Sequence, residues 1–263
     1  MKRSSGARLC ATAAIGALSL SLLTACSDDG SKDTDSKTSA SASAPAEASS
    51  SAPAAKALTK AELEKLLLAQ GELKGYKVDS GDDTLPASKS VVKTDKPACN
   101  PLAWATAALA PGDTDASVGN TVAEDKTAAA TAKPTDLADA FDIDMTFVGL
   151  SSYAGDGAEK AMKAVSDGVT ACAGGYGLKA DGENTKVTKV AEEKNSAKGD
   201  EVVAFTEDVD MDGAGKATFH AAVVRKGNTV ATFYTVNFAA MTKGGDMGAV
   251  PAAVIDAQLA KLK

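Results

Sequence analysis

Aromatic side chains are scarce in this sequence, with one Trp, four Tyr and six Phe among 263 residues. That scarcity argues against a protein that stacks bases, sugars or quaternary amines. Histidine is scarcer still. A single His220 leaves no second imidazole for a zinc site and only one candidate base for a serine or cysteine nucleophile. Positive charge is outnumbered, 28 Lys and Arg against 35 Asp and Glu, for a net charge of −7. The basic footprint of a nucleic-acid partner is therefore missing. There are only four cysteines. What is present, 44% hydrophobic and 24% charged residues, is ordinary globular composition.

The amino-terminal residues indicate export. Lys2, Arg3 and Arg8 precede a charge-free apolar stretch over residues 9–25, shorter than the roughly 20 residues of a spanning helix. It ends in Leu23-Thr24-Ala25-Cys26, then Ser27-Asp28-Asp29. A branched apolar residue, two small residues and Cys resemble a bacterial lipobox. The resemblance implies acylation of the Cys26 thiol and cleavage before Cys26 by lipoprotein-processing enzymes. Residues 1–25 are then a signal peptide, and membrane lipid is the partner of acylated Cys26. Buried acyl chains anchor at about 0.8 kcal/mol per CH₂. An ordinary secretory signal with a chance Cys is the alternative. Residues 26–56 follow as a Ser-, Ala- and Pro-rich tether; residues 27–56 contain no Leu, Ile, Val, Met, Phe, Tyr or Trp. Such a segment cannot offset the entropy of folding and is expected to be disordered, spanning roughly 30 Å.

Residues 57–263 read as one extracytoplasmic domain, with 22 basic and 30 acidic residues once the six and five of positions 1–56 are set aside. Thr59-Lys60-Ala61-Glu62 is a capping box, with Leu58 placed to staple onto Leu63. Leu63, Leu66 and Leu67 form that helix's apolar stripe, and Gly71 is the expected stop. A short extended piece over 76–78 and a helix over about 101–109 come next. Extended segments are expected over 117–123 and 141–150, the latter alternating Phe141, Ile143, Met145 and Phe147 with polar residues. The clearest helix has Ala158, Met162, Val165, Val169 and Cys172 on one face, Asp156 as its cap and Gly174-Gly175 as its stop. Four β-type segments, 185–190, 201–209, 216–225 and 228–238, precede a last helix over 251–262; short turns make the last three a meander. The grouping predicts an α+β fold, an antiparallel sheet with helices packed mainly on one face.

Of the four cysteines, Cys10 leaves with the signal and Cys26 is assigned to acylation. Cys99 and Cys172 remain. In an oxidising compartment a disulfide is favoured over two buried thiols or a metal site.

Leu58-Thr-Lys-Ala-Glu-Leu-Glu-Lys-Leu-Leu-Leu running into Gly75-Tyr-Lys-Val, then Pro97-Ala-Cys-Asn-Pro-Leu, and the order of elements after them, resemble the PknH-type extracellular sensor domain and the actinobacterial lipoproteins that share it. The resemblance implies a mixed α/β domain with a cleft for an unidentified ligand and no catalysis. That kinase sensor carries two disulfides, whereas one pair is available here. No functional residue carries over.

Other motifs reduce to ordinary features. Asp208, Asp210, Asp212 and Gly213 resemble the start of a calcium loop, but Phe219 stands where the bidentate carboxylate is required. Gly149-Leu-Ser151-Ser-Tyr153 lacks the second glycine of a nucleophile elbow. Gly174-Gly-Tyr-Gly177 follows a helix and does not open one, so it is no phosphate cradle. Asp142 and Asp144 share one strand face and read as solvated, and Trp104 reads as core. The expectation is a non-catalytic, lipid-anchored, ligand-binding or sensor-like module on the extracytoplasmic face of the cell membrane. It has no metal and no cofactor, and its ligand or envelope partner is unknown. A carrier for lipid or a small apolar ligand is the alternative.

Overall fold

The computed structural model describes residues 56–114, 116–126, 142–180, 182–211 and 215–262. Their centre is a ten-stranded sheet: β1 (Tyr76–Asp79), β2 (Val92–Thr94), β3 (Ser117–Glu124), β4 (Asp144–Ser152), β5 (Tyr176–Ala180), β6 (Glu183–Glu193), β7 (Glu201–Asp210), β8 (Lys216–Lys226), β9 (Thr229–Asn237) and β10 (Gly245–Asp246). Five α-helices accompany it, α1 (Lys60–Leu66), α2 (Asn100–Ala105), α3 (Gly157–Ala171), α4 (Phe238–Lys243) and α5 (Ala252–Lys261). The strand order is β1-β3-β4-β9-β8-β7-β6-β5-β2, antiparallel at every step, and β10 pairs parallel to β8. β1 and β2 therefore lie on opposite edges, although only residues 80–91 separate them.

The α+β class and the antiparallel sheet are those expected, and β6 to β9 form a four-strand meander. The helices divide between both faces of the sheet. On one face α2 and α3 cover Phe205, Phe219, Ala221, Val223 and Val230; on the other α1 and α5 cover Val148, Ala222, Val224 and Phe233. The reason lies in β8, where Ala221, Ala222, Val223 and Val224 are all buried. Four consecutive buried residues put apolar surface on both sides of a pleated strand, and each side needs a cover.

The first helix forms as its capping box dictates. Thr59 Oγ1 accepts from the Glu62 N–H, and the Glu62 carboxylate accepts from the Thr59 N–H at 2.8 Å. Leu63 is buried and Leu58 packs against the same cluster, as a staple requires. Gly71, the expected stop, lies beyond the real end at Leu66. A tertiary contact ends this helix early: Gln258 of α5 donates its Nε2 to the Leu66 carbonyl at 2.7 Å and accepts the Leu68 N–H at 3.0 Å.

In α3 all five residues of the predicted face are buried. Asp156 forms no cap; its carboxylate pairs instead with Lys160, one turn on, at 2.8 Å. Gly175 closes the run with φ of +78°, and a Cβ there would lie 2.2 Å from the Val187 carbonyl oxygen. That combination of left-handed backbone and close approach suits glycine alone. Cys99 and Cys172 are bonded, with Cα atoms 5.9 Å apart, and tie the turn before α2 to the end of α3.

Strands β2, β5 and β10 and helix α4 escape the sequence reading, and the 141–150 segment starts at Asp144. β2 is a three-residue edge strand whose only partner is β5, more than 80 residues on, so its signal is non-local; β5 is a short strand between β6 and β2. Cys26, Phe141, Asp212 and Gly213, the signal peptide, and the tether apart from Lys56 lie outside the described residues.

Candidate functional site: a cleft at the β3 edge

A cleft of about 690 Å³ opens where β1 ends. One wall is α1 and its exit, with Lys60, Glu64, Leu67 and Leu68; the other is the loop through Leu85, Pro86 and Ala87, joined by Ala107, Ala108 and Leu109. Its floor is the first half of β3, residues 117–120.

Each wall is held by a different device. Leu68 has its N–H taken by Gln258 and its carbonyl taken by Asn120 Nδ2 at 2.7 Å, so α5 and β3 together fix the exit of α1. Opposite, Gly149 lets the Ala107–Leu109 turn reach the sheet. A Cβ on Gly149 would meet the Ala108 carbonyl oxygen at 2.5 Å, and Ala108 itself adopts φ of 54°. Leu85 sits over Gly119 in the same way, 2.8 Å from where a Cβ would be. Small residues at both positions let these turns lie directly on the strands.

Asn120 is the polar centre of the floor. Only 4% of it is exposed, and its Nδ2 is committed to Leu68. Its Oδ1 is buried and makes no hydrogen bond among the described residues. A buried acceptor left unmade costs about 1–3 kcal/mol, so the floor holds an unused capacity to take a donor. Around it the lining mixes apolar side chains with the carboxylates of Glu64, Asp79 and Asp82 and the ammonium of Lys60. No His, Cys or Tyr is among the lining residues.

The residues singled out by sequence lie elsewhere. His220 on β8 is mostly buried, with Nδ1 3.0 Å from Glu193 Oε1 and Nε2 3.0 Å from Asp246 Oδ1. Carboxylates only accept, so holding both at once requires both ring nitrogens to donate. The ring thus clamps β6 and β10 to β8. Asp142 and Asp144 both accept from Asn237 Nδ2, at 2.8 and 2.7 Å. The Asn237 bond, with Lys126 beside it, holds the Asp142 carboxyl below its ordinary range. Ser151 is buried and donates to the Tyr153 hydroxyl, which also accepts from the Gly112 N–H. Trp104 is half-buried; its Nε1 donates to the Val92 carbonyl and Lys89 Nζ lies 4.3 Å from its ring centroid. Asp208 accepts from the Thr218 hydroxyl. No group of three or more His, Cys, Asp or Glu able to hold a metal exists among the described residues.

One buried acid escaped the sequence reading. Glu207 of β7 is 3% exposed and accepts the Tyr176 hydroxyl at 2.6 Å. Burial raises its carboxyl from 4.5 to about 7, and the Tyr176 bond opposes that only in part. Tyr176 is pushed up in turn by its own burial and by Glu207. This pair belongs to the core under α3, and the cleft does not include it. Asn120 also went unread, although Asn between Val118 and Val122 on one strand face is a signal of a buried polar group with a special task.

No helix among the described residues is long and apolar enough to cross a membrane. No family model matches the chain, and no curated protein does. Among solved structures the chain is similar to the crystal structure of the extracellular domain of PknH from Mycobacterium tuberculosis, at 15% identity and a TM-score of 0.44, covering 78% of this chain and 98% of that one.

Proposed function

We propose that the protein is a non-catalytic, sensor-like binding module on the extracytoplasmic side of the membrane, anchored through acylated Cys26 and taking a ligand into the β3-edge cleft. The observation that carries this reading is Asn120 Oδ1, a buried acceptor without a partner in the floor of an open cleft. Native sites of this kind mix apolar walls with a few fixed polar groups, and an orphaned polar atom marks where a ligand would complete the set. The disulfide agrees with an oxidising compartment. The lipobox supplies the anchor and the tether the distance from the lipid surface. The lining sets carboxylates and one ammonium beside apolar walls and an unpartnered amide oxygen, a set suited to recognition, which is why binding is preferred to catalysis.

Two measurements test the two halves. Labelled palmitate is expected in the wild type and not in Cys26→Ala; equal labelling would remove the anchor. Small-molecule fractions of a cell-envelope extract should contain a component that raises the melting temperature of the wild type and leaves that of Asn120→Leu unmoved. Equal shifts in both proteins would place the ligand elsewhere.

A further inference from the structure

β3 covers residues 117–124, yet β1 pairs with only the second half, from Thr121 to Glu124. On its other side β4 pairs with residues 117–123. Along an antiparallel strand the N–H and C=O of one residue point to the same side, and successive residues alternate. Two hydrogen bonds fix the phase. The Ala116 carbonyl accepts from Ser152, on the β4 side, and the Asp125 N–H donates to Gly75, on the β1 side. Odd-numbered residues of β3 therefore turn their main chain toward β1. Asp79 meets Thr121, and then the chain leaves through Ser80 and Gly81. The main-chain groups of Ser117 and Gly119 face the cleft, with no strand paired to them on that side among the described residues.

The cleft is thus the vacant continuation of an edge-strand position. Beside it lie the unused Asn120 acceptor, apolar side chains on both walls, and three carboxylates, Glu64, Asp79 and Asp82, against the single ammonium of Lys60. Main-chain donors and acceptors in strand register select an extended peptide, and the charge excess selects a basic one.

We propose that the occupant of the cleft is an extended, cationic peptide segment that adds a strand alongside Ser117 and Gly119. This deepens the binding reading above and rests on it. The peptide's main chain meets the outward groups of Ser117 and Gly119. A side-chain or main-chain donor reaches Asn120 Oδ1. Its basic residues face the carboxylates.

The probe is a capped peptide of alternating valine and lysine, titrated into the purified full chain in detergent, with backbone amide shifts as the readout. Two further peptides carry N-methyl groups on all valine amides or on all lysine amides. In a strand one of these sets faces β3 and the other faces away, so one methylated peptide should bind about tenfold more weakly and the other like the parent. Ser117 and Gly119 amides should shift with the parent peptide. Ser117→Pro removes an outward N–H that the β4 ladder does not use, and should weaken the parent peptide similarly. Failure of the parent peptide to bind would overturn the proposal. Equal binding by both methylated forms, with shifts centred on Asn120, would overturn strand addition and leave a ligand cleft of another chemistry. Concentration-dependent self-association through the β3 edge, blocking the peptide, would also overturn it.

Discussion

The two faces of the sheet are closed by different means. Under α2 and α3 the closure is covalent and apolar: the Cys99–Cys172 bond pins both helices over a core of Phe205, Met162 and Val165. Under α1 and α5 an apolar cluster is joined by a polar clamp in which Gln258 and Asn120 hold the main chain at Leu66 and Leu68. A covalent bond holds without needing neighbours to stay in place. A hydrogen-bonded clamp needs several groups at once, and it sits beside the open cleft. The cleft borders both closures, since its second wall, Ala107 to Leu109, follows α2.

Breaking the covalent side should cost most. Cys99→Ala with Cys172→Ala removes the closure of a loop whose ends are 73 residues apart, with an expected loss of about 4 kcal/mol in denaturant unfolding. The cleft amides around Asn120 should keep their shifts, which would show that the two sides are separable.

The same core carries a pH dependence of defined sign. Glu207 titrates at about 7 in the folded protein against 4.5 ordinarily. Between those values the folded state keeps a proton that the unfolded state has lost, so its contribution is fully present below about pH 4.5. It is lost as pH rises through 7, for a total on the order of 3 kcal/mol. Glu207→Gln should flatten that slope and leave the variant more stable than the wild type above pH 7. An unchanged slope would mean the proton is held elsewhere.

On the polar side, Gln258→Ala leaves the Leu66 carbonyl and the Leu68 N–H without their partner, at about 2 kcal/mol. Hydrogen exchange should quicken at Leu67 and Leu68 and stay slow in α3. Thr59→Ala, at the far end of the same helix, removes one capping bond and should cost about 1 kcal/mol in thermal unfolding. It sharpens the contrast by loosening α1 without touching the cleft floor.

The elements legible in the sequence are those whose signals are local. Thr59 with Glu62, the 4-3-4-3 spacing from Ala158 to Cys172 and the turns of the meander each specify structure within about fifteen residues. The Cys99–Cys172 bond was legible because compartment and count left no other pair. The end of α1 was not, because Gln258 sets it from 192 residues away. The split of helices between faces was hidden because it follows from β8 being buried on both sides, which only distant strands and helices decide. The cleft was unreadable for the same reason: it exists where β1 stops and two glycines in separate strands admit two separate turns.

The strand order has one more consequence. Residues 80–91 must carry the chain from one edge of the sheet to the other, a distance of about 38 Å if the sheet were flat. Thirteen fully extended steps from Asp79 to Val92 would span about 43 Å. This segment is not extended: Leu85 N–H bonds back to Gly81, and Lys89–Val91 forms a 3-10 turn. It therefore has too little length for a flat crossing, and the two edges must be drawn toward each other. The segment that forms one lip of the cleft is also the connection to the strand beside the disulfide, so its turns help set how far apart the two edges lie. Shortening or lengthening it would therefore act on the cleft lip and on the spacing of the two edges together.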